Sequence, residues 1–580
     1  MNNPGAGIMR LISMILTGIQ MLILLLGFTT LQAASVTIDG AIEYQEIDGF
    51  GGNEVQLFPK TDNDFNLIFN ELGASILDMG LYTQTEDTVY NDTGLGDASR
   101  NDNDDPDIID WNGVDTSWID MIGRVLPVKA QAHGCNIFAG KVCSPPSWMR
   151  SPAGLFYRDG KLLAQNYDEF AEFLYIWYKG LKDRKGVTLS YIGLQNEPNG
   201  GHNPTWTGCT YTGAELRDLI KVVGPYFQTK GITAKIILPE CVSLGSFAGL
   251  ANPTLQDPIA RQYVGVLATH PYNVTFSNPD GAITAWTNVA DIAGQYNLKL
   301  WQNEWGAGNT SWKDGLLYVQ HMHNGLYYGK VSAWLYMDLY HPTSFGDGYG
   351  GLVNENGPRE QFYWVKHYFR YVRPGAVRIQ AATDNGNILV TSFVQKDSKT
   401  IAIVNINRGG SNQNVNFTVN NIQGLSSLNA IRSSATENAV NLGQISVTGN
   451  SFSYTLPDSS ITTLTGTIGT TTNEMGRKKD NPIEIIVSPN PFNPKTIIEV
   501  RSQGSAGHLA VNIYDIKGAL VNTLAPCYGT HSSDRPGRDG QNTAGAIRYI
   551  WDASSWQTGL YIVKIIAGDK IMARKITLLK

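Results

Sequence analysis

The chain has 580 residues and a formal net charge of −7, and charged residues make up only 16% of it. No Lys/Arg cluster is dense enough to follow a phosphate backbone, which argues against nucleic acid as a partner. The length exceeds what one core holds, so we expect two to four domains. The 13 Trp and 27 Tyr suit sugar faces and ordinary cores equally well.

The N-terminus has the pattern of a secretory signal peptide. Residues 1–10 are weakly basic, Leu11–Phe28 is apolar, and small residues suited to cleavage stand at Ala33 and Ala34. The alternative is an uncleaved anchor, because the apolar run is long enough to cross a bilayer. We predict a signal peptide over residues 1–34. The mature protein is then secreted or at the cell surface, without a stable membrane span, and monomeric.

From about residue 50 to 373, short apolar runs alternate with longer amphipathic stretches, as in repeated βα units. We predict a (β/α)8 TIM barrel over residues 35–375, with residues 35–48 forming a strand of a flanking β-sandwich. Functional residues are expected where the strands end. The predicted strands are the region around Phe50, SILDMGLY, GCNIFAGKV, TLSYIGLQ, AKIILPE, VGVLATHPY, LKLWQNEW and VSAWLYMDL.

The remainder of the chain is predicted to be all-β. Residues 376–468 carry short β-rich runs between Gly, Asn and Ser turns, which is typical of an antiparallel sandwich. Residues 469–482 are polar and lack an apolar period, so they are interpreted as a linker. Residues 483–580 are predicted to form a C-terminal β-sandwich domain.

Two glutamates each end a short apolar run: Glu197 in YIGLQNEPNG and Glu304 in LWQNEWGAG. A retaining glycosidase needs one carboxylic acid to protonate the leaving oxygen and one carboxylate to attack the anomeric carbon, with the two groups about 5 to 5.5 Å apart. A barrel whose strand ends converge on one mouth can bring them together. The alternative is two surface glutamates with no shared task.

Seven motifs, in order, make the chain resemble glycoside hydrolase family 30, a family of (β/α)8 glycosidases. They are QEIDGFGG, CSPPSWM, LQNEPN, LPECVS, THPYN, LWQNEW and YFRYVRPGAVRI, spread through residues 45–468. The resemblance implies that Glu197 is the acid/base and Glu304 the nucleophile. It also implies that Asn196 bonds the substrate's 2-hydroxyl, that Tyr272 holds the nucleophile and that His270 lines the same mouth.

Three tryptophans are further candidates for substrate binding: Trp148, Trp334 and Trp305. An apolar ring face can stack on a pyranose, and the alternative is packing within the barrel. No cofactor is expected. No CxxC spacing occurs, so no metal site is predicted.

Two positions depart from the family. Asp78 stands where the family usually carries an arginine that supports the nucleophile, so another cation would have to compensate. Asp338 stands where the family's glucuronoxylanases carry an arginine that reads a glucuronate branch. An acidic residue would repel that branch, which disfavours strict dependence on glucuronoxylan.

The expected activity is that of a secreted, retaining, endo-acting and xylanase-like enzyme on a plant-type polysaccharide. An endo-β-1,6-galactanase or a β-glucanase is the alternative within the family. A non-catalytic carbohydrate-binding protein on a barrel scaffold is the alternative of another class. The last hundred residues, with SPNPFNPKT, IYDIKG and a terminal KITLLK, resemble a type IX secretion sorting domain, which implies that export machinery as a partner.

Overall fold

The computed structural model describes most of the chain beyond the predicted leader. The described residues are 33–54, 61–81, 103, 105–151, 160–200, 208–308, 310–345, 350–469, 484–488, 490, 492–501, 509–515, 519–527, 546–567 and 570–580. The predicted signal peptide, up to residue 32, and the predicted linker, from residue 470, lie outside them. Contacts divide the chain into one unit up to Thr472 and a second from Asn473 to Lys580.

Eight parallel strands close into a barrel within the first unit. Each strand pairs with the next in chain order, and the last pairs with the first. All eight segments expected from the sequence contribute one strand. In order, the barrel strands are Gly49–Glu54, Ile76–Gly80, Ile137–Lys141, Tyr191–Gly193, Lys235–Cys241, Val264–Thr269, Leu300–Trp305 and Ala333–Tyr336.

The barrel interior changes from apolar to polar toward the strand ends. An apolar cluster that includes Ile76, Ala139 and Ala268 fills part of it. Residues two positions apart on a strand face the same side, so Asp78 and Lys141 follow the first two inward. The chain thus places its charged groups above a packed apolar floor, at the end of the barrel where function is expected.

Helices surround the barrel. Five of them lie in the longer amphipathic stretches that alternate with the predicted strands: Ser117–Ala132, Tyr167–Lys185, Gly213–Lys230, Ile283–Gln295 and Trp312–Tyr327. Four others are Asp62–Phe65, Phe247–Gln256, Pro258–Arg261 and Glu360–Phe369. Shorter helical turns are Asn66–Glu71, Ser147–Met149, Ala164–Asn166, Leu244–Ser246, Pro279–Ala282 and Thr343–Phe345.

A nine-stranded sheet flanks the barrel in the same unit. The helix Glu360–Phe369 contacts this sheet directly. The buried ring of its His367 forms hydrogen bonds with Thr463 Oγ1 and Ser433 Oγ, each at 2.8 Å. The N-terminal strand Ala34–Glu46 lies inside this sheet. In sheet order the strands are Glu437–Ser446, Ser427–Ser434, Ser460–Thr467, Thr400–Asn407, Ile388–Gln395, Val377–Thr383, Ala34–Glu46, Gln413–Asn420 and Ser451–Leu456.

The second unit consists of two four-stranded sheets around its own core, which includes Trp551, Val563 and Ile576. One sheet contains Glu484–Ser488, Lys495–Arg501, Ala546–Asp552 and Pro526–Cys527. The other contains Leu520–Leu524, Leu509–Asp515, Gly559–Ala567 and Lys570–Leu578. The predicted fold class, a TIM barrel with a flanking sandwich and a C-terminal all-β domain, is confirmed.

Two short hairpins complete the secondary structure, Arg150–Ser151 with Lys161–Leu162 and Val353–Asn354 with Gly357–Pro358. Among the cysteine side chains that the structure describes, Cys135, Cys143, Cys209 and Cys241 are free thiols. Within the described part of the chain, no helix is both long and apolar enough to cross a membrane.

Candidate active site

The barrel mouth brings Glu197 and Glu304 together with His270. One carboxylate oxygen from each glutamate and one ring nitrogen of His270 lie within 4.8 Å of one another. His270 Nδ1 is 3.2 Å from Glu197 Oε1 and 3.8 Å from Glu304 Oε1. Residues far apart in the sequence therefore share one small volume, because they come from the ends of the fourth, sixth and seventh strands.

The backbone around Glu197 is held in an uncommon conformation. Glu197 has φ 48° and Glu240 has φ 56°, both in the left-handed region. The Glu197 amide donates to the Glu240 carbonyl at 2.9 Å, which joins the two segments. Such backbone geometry is sparsely populated for residues other than glycine and clusters at functional sites. It fixes the direction in which the Glu197 side chain leaves the strand end.

Glu304 is 5% exposed, and both of its oxygens have partners. Tyr272 Oη donates to Oε1 at 3.0 Å, and the Lys141 ammonium pairs with Oε2. Burial alone would raise the pKa of Glu304, but Lys141 and His270 outweigh burial and hold this pKa below its ordinary value. Glu304 is therefore ionised, as a nucleophilic carboxylate must be.

Lys141 is the main residue of the site that the sequence reasoning missed. Only 2% of its side chain is exposed, and its ammonium is also 3.9 Å from Asp78 Oδ2. Burial alone would lower the pKa of Lys141, but Glu304 and Asp78 outweigh burial and hold this pKa above its ordinary value. The signal was present in the predicted strand GCNIFAGKV, where the lysine occupies an inward position at the strand end.

Asp78 itself is fully buried, and Asn53 Nδ2 donates to its Oδ2 at 3.1 Å. Burial raises the pKa of Asp78 to about 6, against the opposing effect of Lys141. The position expected to hold an arginine thus holds a carboxyl group that shares the Lys141 ammonium with Glu304.

Glu240 lies under the same site. Asn303 Nδ2 donates to its Oε1 at 2.7 Å. Burial first, and then the charge of Asp78, raises the pKa of Glu240 well above its ordinary value. A side chain at Gly193 would place its Cβ 1.8 Å from Glu240 Oε2, so the fourth strand needs glycine there.

Asn196 and Trp148 are both half-buried. The Asn196 amide donates to the Val142 carbonyl at 2.7 Å, and its side-chain Oδ1 has no hydrogen-bond partner among the described residues. Trp148 lies in the short helical turn Ser147–Met149 that follows the third strand. Both stay predictions as substrate contacts.

Trp334 and Trp305 pack against other aromatic rings of the protein. Trp334 is fully buried, and its Nε1 donates to Tyr318 Oη at 3.0 Å. Trp305 is 5% exposed and stacks on Tyr318 with ring centroids 4.9 Å apart. Both rings are covered by protein, and their contact with substrate stays a prediction.

Asp338 follows the eighth strand and is 3% exposed. Its Oδ2 is 3.1 Å from His341 Nδ1, and its Oδ1 has no hydrogen-bond partner within the described part of the chain. Burial raises the pKa of Asp338, with His341 opposing. The charge of Glu304 also acts on Asp338, which places the two groups in one electrostatic environment.

Carboxylates and imidazole also serve as metal ligands in other proteins. Here Glu304 already faces the fixed cation Lys141. We therefore interpret the cluster as an acid–base site and assign no metal or cofactor to it.

Comparison with known proteins agrees with this geometry. A family model described as O-Glycosyl hydrolase family 30 matches residues 112–349. Glucuronoxylanase XynC of Bacillus subtilis (strain 168) is 27% identical over 477 residues, covering 79% of this chain and 98% of that protein.

Solved structures support the fold. The family 30 subfamily 8 xylanase Xyn30A from Clostridium acetobutylicum aligns with a TM-score of 0.61 at 23% identity, covering 75% of this chain and 99% of that one. The endo-β-1,6-glucanase BT3312 aligns with a TM-score of 0.55 at 17% identity, covering 75% of this chain and 95% of that one. Likeness at this level of identity shows the shared architecture alone.

The family model and the glucuronoxylanase relatives, together with a closed (β/α)8 barrel that brings two glutamates to its mouth, support a glycoside hydrolase. The chain is similar to glycoside hydrolase family 30 over residues 112–349 and to the curated glucuronoxylanase relatives.

Proposed function

We propose that the protein is a retaining β-glycoside hydrolase that cleaves a xylan-type polysaccharide by double displacement. The observation that carries this proposal is the approach of Glu197 and Glu304 to within 4.8 Å, oxygen to oxygen. Carboxyl groups about 5 to 5.5 Å apart serve retention, whereas inverting enzymes keep them roughly 6.5 to 9.5 Å apart to admit a water.

In the first step, Glu304 attacks the anomeric carbon as a carboxylate while protonated Glu197 donates its proton to the glycosidic oxygen. The C–O bond to the leaving sugar breaks and an ester to Glu304 forms. In the second step, Glu197 takes a proton from water, whose oxygen displaces Glu304. The product keeps the configuration of the substrate.

The other groups at the mouth serve these steps. Tyr272 and Lys141 each hold one oxygen of Glu304. His270 lies between the two carboxyl groups. Asn196 is placed beside Glu197 in the sequence, and a bond from it to the 2-hydroxyl would strengthen as oxocarbenium character develops.

Xylan is favoured as the substrate because the relatives include a glucuronoxylanase, and the match covers 98% of that protein's length. Dependence on a glucuronate branch is disfavoured, since the buried carboxyl group of Asp338 replaces the expected arginine. A carboxyl group in that place repels a carboxylate and suits a neutral or sparsely decorated chain.

Hydrolysis of plain xylan, glucuronoxylan, β-1,6-glucan and β-1,6-galactan tests the proposal, with reducing sugar as the readout. We expect plain xylan to be cleaved by the wild type and not by Glu304→Gln or Glu197→Ala. Comparable release from either variant would refute the catalytic assignment. Strong preference for glucuronoxylan would refute the role of Asp338, and binding without turnover would favour a non-catalytic protein.

We further propose that the chain is exported and sorted by its C-terminal domain. The support is the leader pattern before residue 35 and the resemblance of residues 483–580 to a type IX sorting domain. The domain boundaries predicted from the sequence remain part of this proposal.

A further inference from the structure

Beneath the two glutamates, the barrel interior contains a buried charge cluster formed by Lys141, Asp78 and Glu240. All three are at most 1% exposed. They come from the third, second and fifth strands, so the cluster exists only in the closed barrel. A buried ammonium is retained only when it is paired, and Lys141 is paired with Glu304 and lies 3.9 Å from Asp78.

The two oxygens of Glu304 have different neighbours. Oε1 accepts from Tyr272 and lies 3.8 Å from the same His270 nitrogen that contacts Glu197. Oε2 pairs with Lys141. Oε1 is therefore the oxygen on the side of the acid/base, and Lys141 holds the opposite oxygen from within the barrel.

Resting on the proposed function, we propose that Lys141 is a positioning residue that keeps the Glu304 carboxylate ionised and aimed, and that Asp78 moderates this effect by competing for the same ammonium. Lys141 thereby supplies from the third strand the cation that the family resemblance implies on the second. The pairing of a carboxyl at position 78 with a lysine at position 141 is then one functional unit.

The direction of each effect follows from the charges that face Glu304. Lys141 favours its ionised form, so removing this ammonium raises the pKa of Glu304. Asp78 disfavours a second negative charge beside Lys141, so removing this carboxylate lowers the pKa of Glu304. The groups that face Glu304 or Lys141 are His270, Glu197, Tyr272, Asp338, Asp78, Glu240 and Cys143.

The test compares the full chain as wild type, Lys141→Met, Lys141→Arg and Asp78→Asn. Rates of kcat/KM against pH report the acidic limb, where activity is lost as Glu304 becomes protonated. We expect Lys141→Met to move this limb up by about one pH unit or more, which is about tenfold in rate on that limb. Lys141→Arg keeps the charge and should stay near wild type, whereas Asp78→Asn should move the limb down.

A difference infrared titration gives a readout that needs no substrate. Subtracting Glu304→Gln isolates the carboxylate band of Glu304, and Lys141→Met should raise its midpoint while Asp78→Asn lowers it. If the two variants shift the Glu304 midpoint in these opposite directions but no polymer is hydrolysed, the proposed function is refuted and the assignment of Lys141 is supported.

Two results overturn the assignment itself. One is an unchanged midpoint in Lys141→Met. The other is available even if Lys141→Met does not fold. It is a Glu304 midpoint that moves to higher pH in Asp78→Asn, or that moves in Lys141→Arg as far as loss of the charge would move it.

Discussion

Gly193→Ala tests whether the buried groups beneath the site, Glu240 and Asn303, stabilise it. The new Cβ would lie 1.8 Å from Glu240 Oε2, 2.6 Å from its Cδ and 2.9 Å from Oε1, so the Glu240 side chain must move. Glu240 is 1% exposed, and moving its side chain breaks the 2.7 Å hydrogen bond from Asn303 Nδ2. An unsatisfied buried polar group costs about 1–3 kcal/mol, and overpacking costs about 1–3 kcal/mol more.

The summed loss is about 2–6 kcal/mol. For a unit as large as this one, scanning calorimetry should show it as a fall of roughly 2–6 °C in the midpoint of the first unit's transition. Turnover should fall as well, because Asn303 directly precedes Glu304 and a displacement of Asn303 also displaces the proposed nucleophile. Gly294→Ala is the matched control, since no atom lies within 4 Å of its added Cβ and alanine favours the helix Ile283–Gln295. Equal midpoints and turnover in the two variants would refute the reasoning.

Three further predictions address the groups around the nucleophile and the C-terminal domain. Tyr272→Phe removes the 3.0 Å hydrogen bond to Glu304, which is worth about 1.5–3 kcal/mol. We expect kcat to fall roughly 10- to 100-fold and the acidic limb of the pH–rate profile to move to higher pH. An unchanged pH profile contradicts this prediction. Asp338→Asn should raise the rate on glucuronoxylan relative to plain xylan by about tenfold, for a repulsion of about 1.4 kcal/mol, in parallel assays of both polymers. Truncation before Ile483 should trap the protein in the periplasm and spare purified activity, as fractionation and assay would show.

Much of the architecture followed from local patterns. Each barrel strand was marked by an apolar run, and the motifs around Glu197 and Glu304 fixed their place at strand ends. The helix Phe247–Gln256 has only ten residues, with both Gly249 and Pro253 inside it, so its helical pattern in the sequence is weak. The strand Glu437–Ser446 is largely exposed and lacks the apolar alternation that marks a strand.

The site was predictable where a motif carried it and not where packing decided it. Trp305 was a candidate for substrate binding, yet it follows Glu304 directly in the seventh strand, where successive side chains point to opposite faces. Trp334 needed the tertiary structure, because only the surrounding helices show its ring to be covered. Lys141 was missed because a lysine at a strand end is usually solvated, and the carboxyl groups that offset its burial come from three other strands.

The configuration of the first-formed product tests the central claim most directly. Hydrolysis of a β-xyloside followed by ¹H NMR distinguishes the two anomers before they interconvert. Two carboxyl groups this close predict that the β-anomer is formed first. Initial release of the α-anomer would mean that water attacks directly, and it would contradict the assignment of Glu304 as the nucleophile.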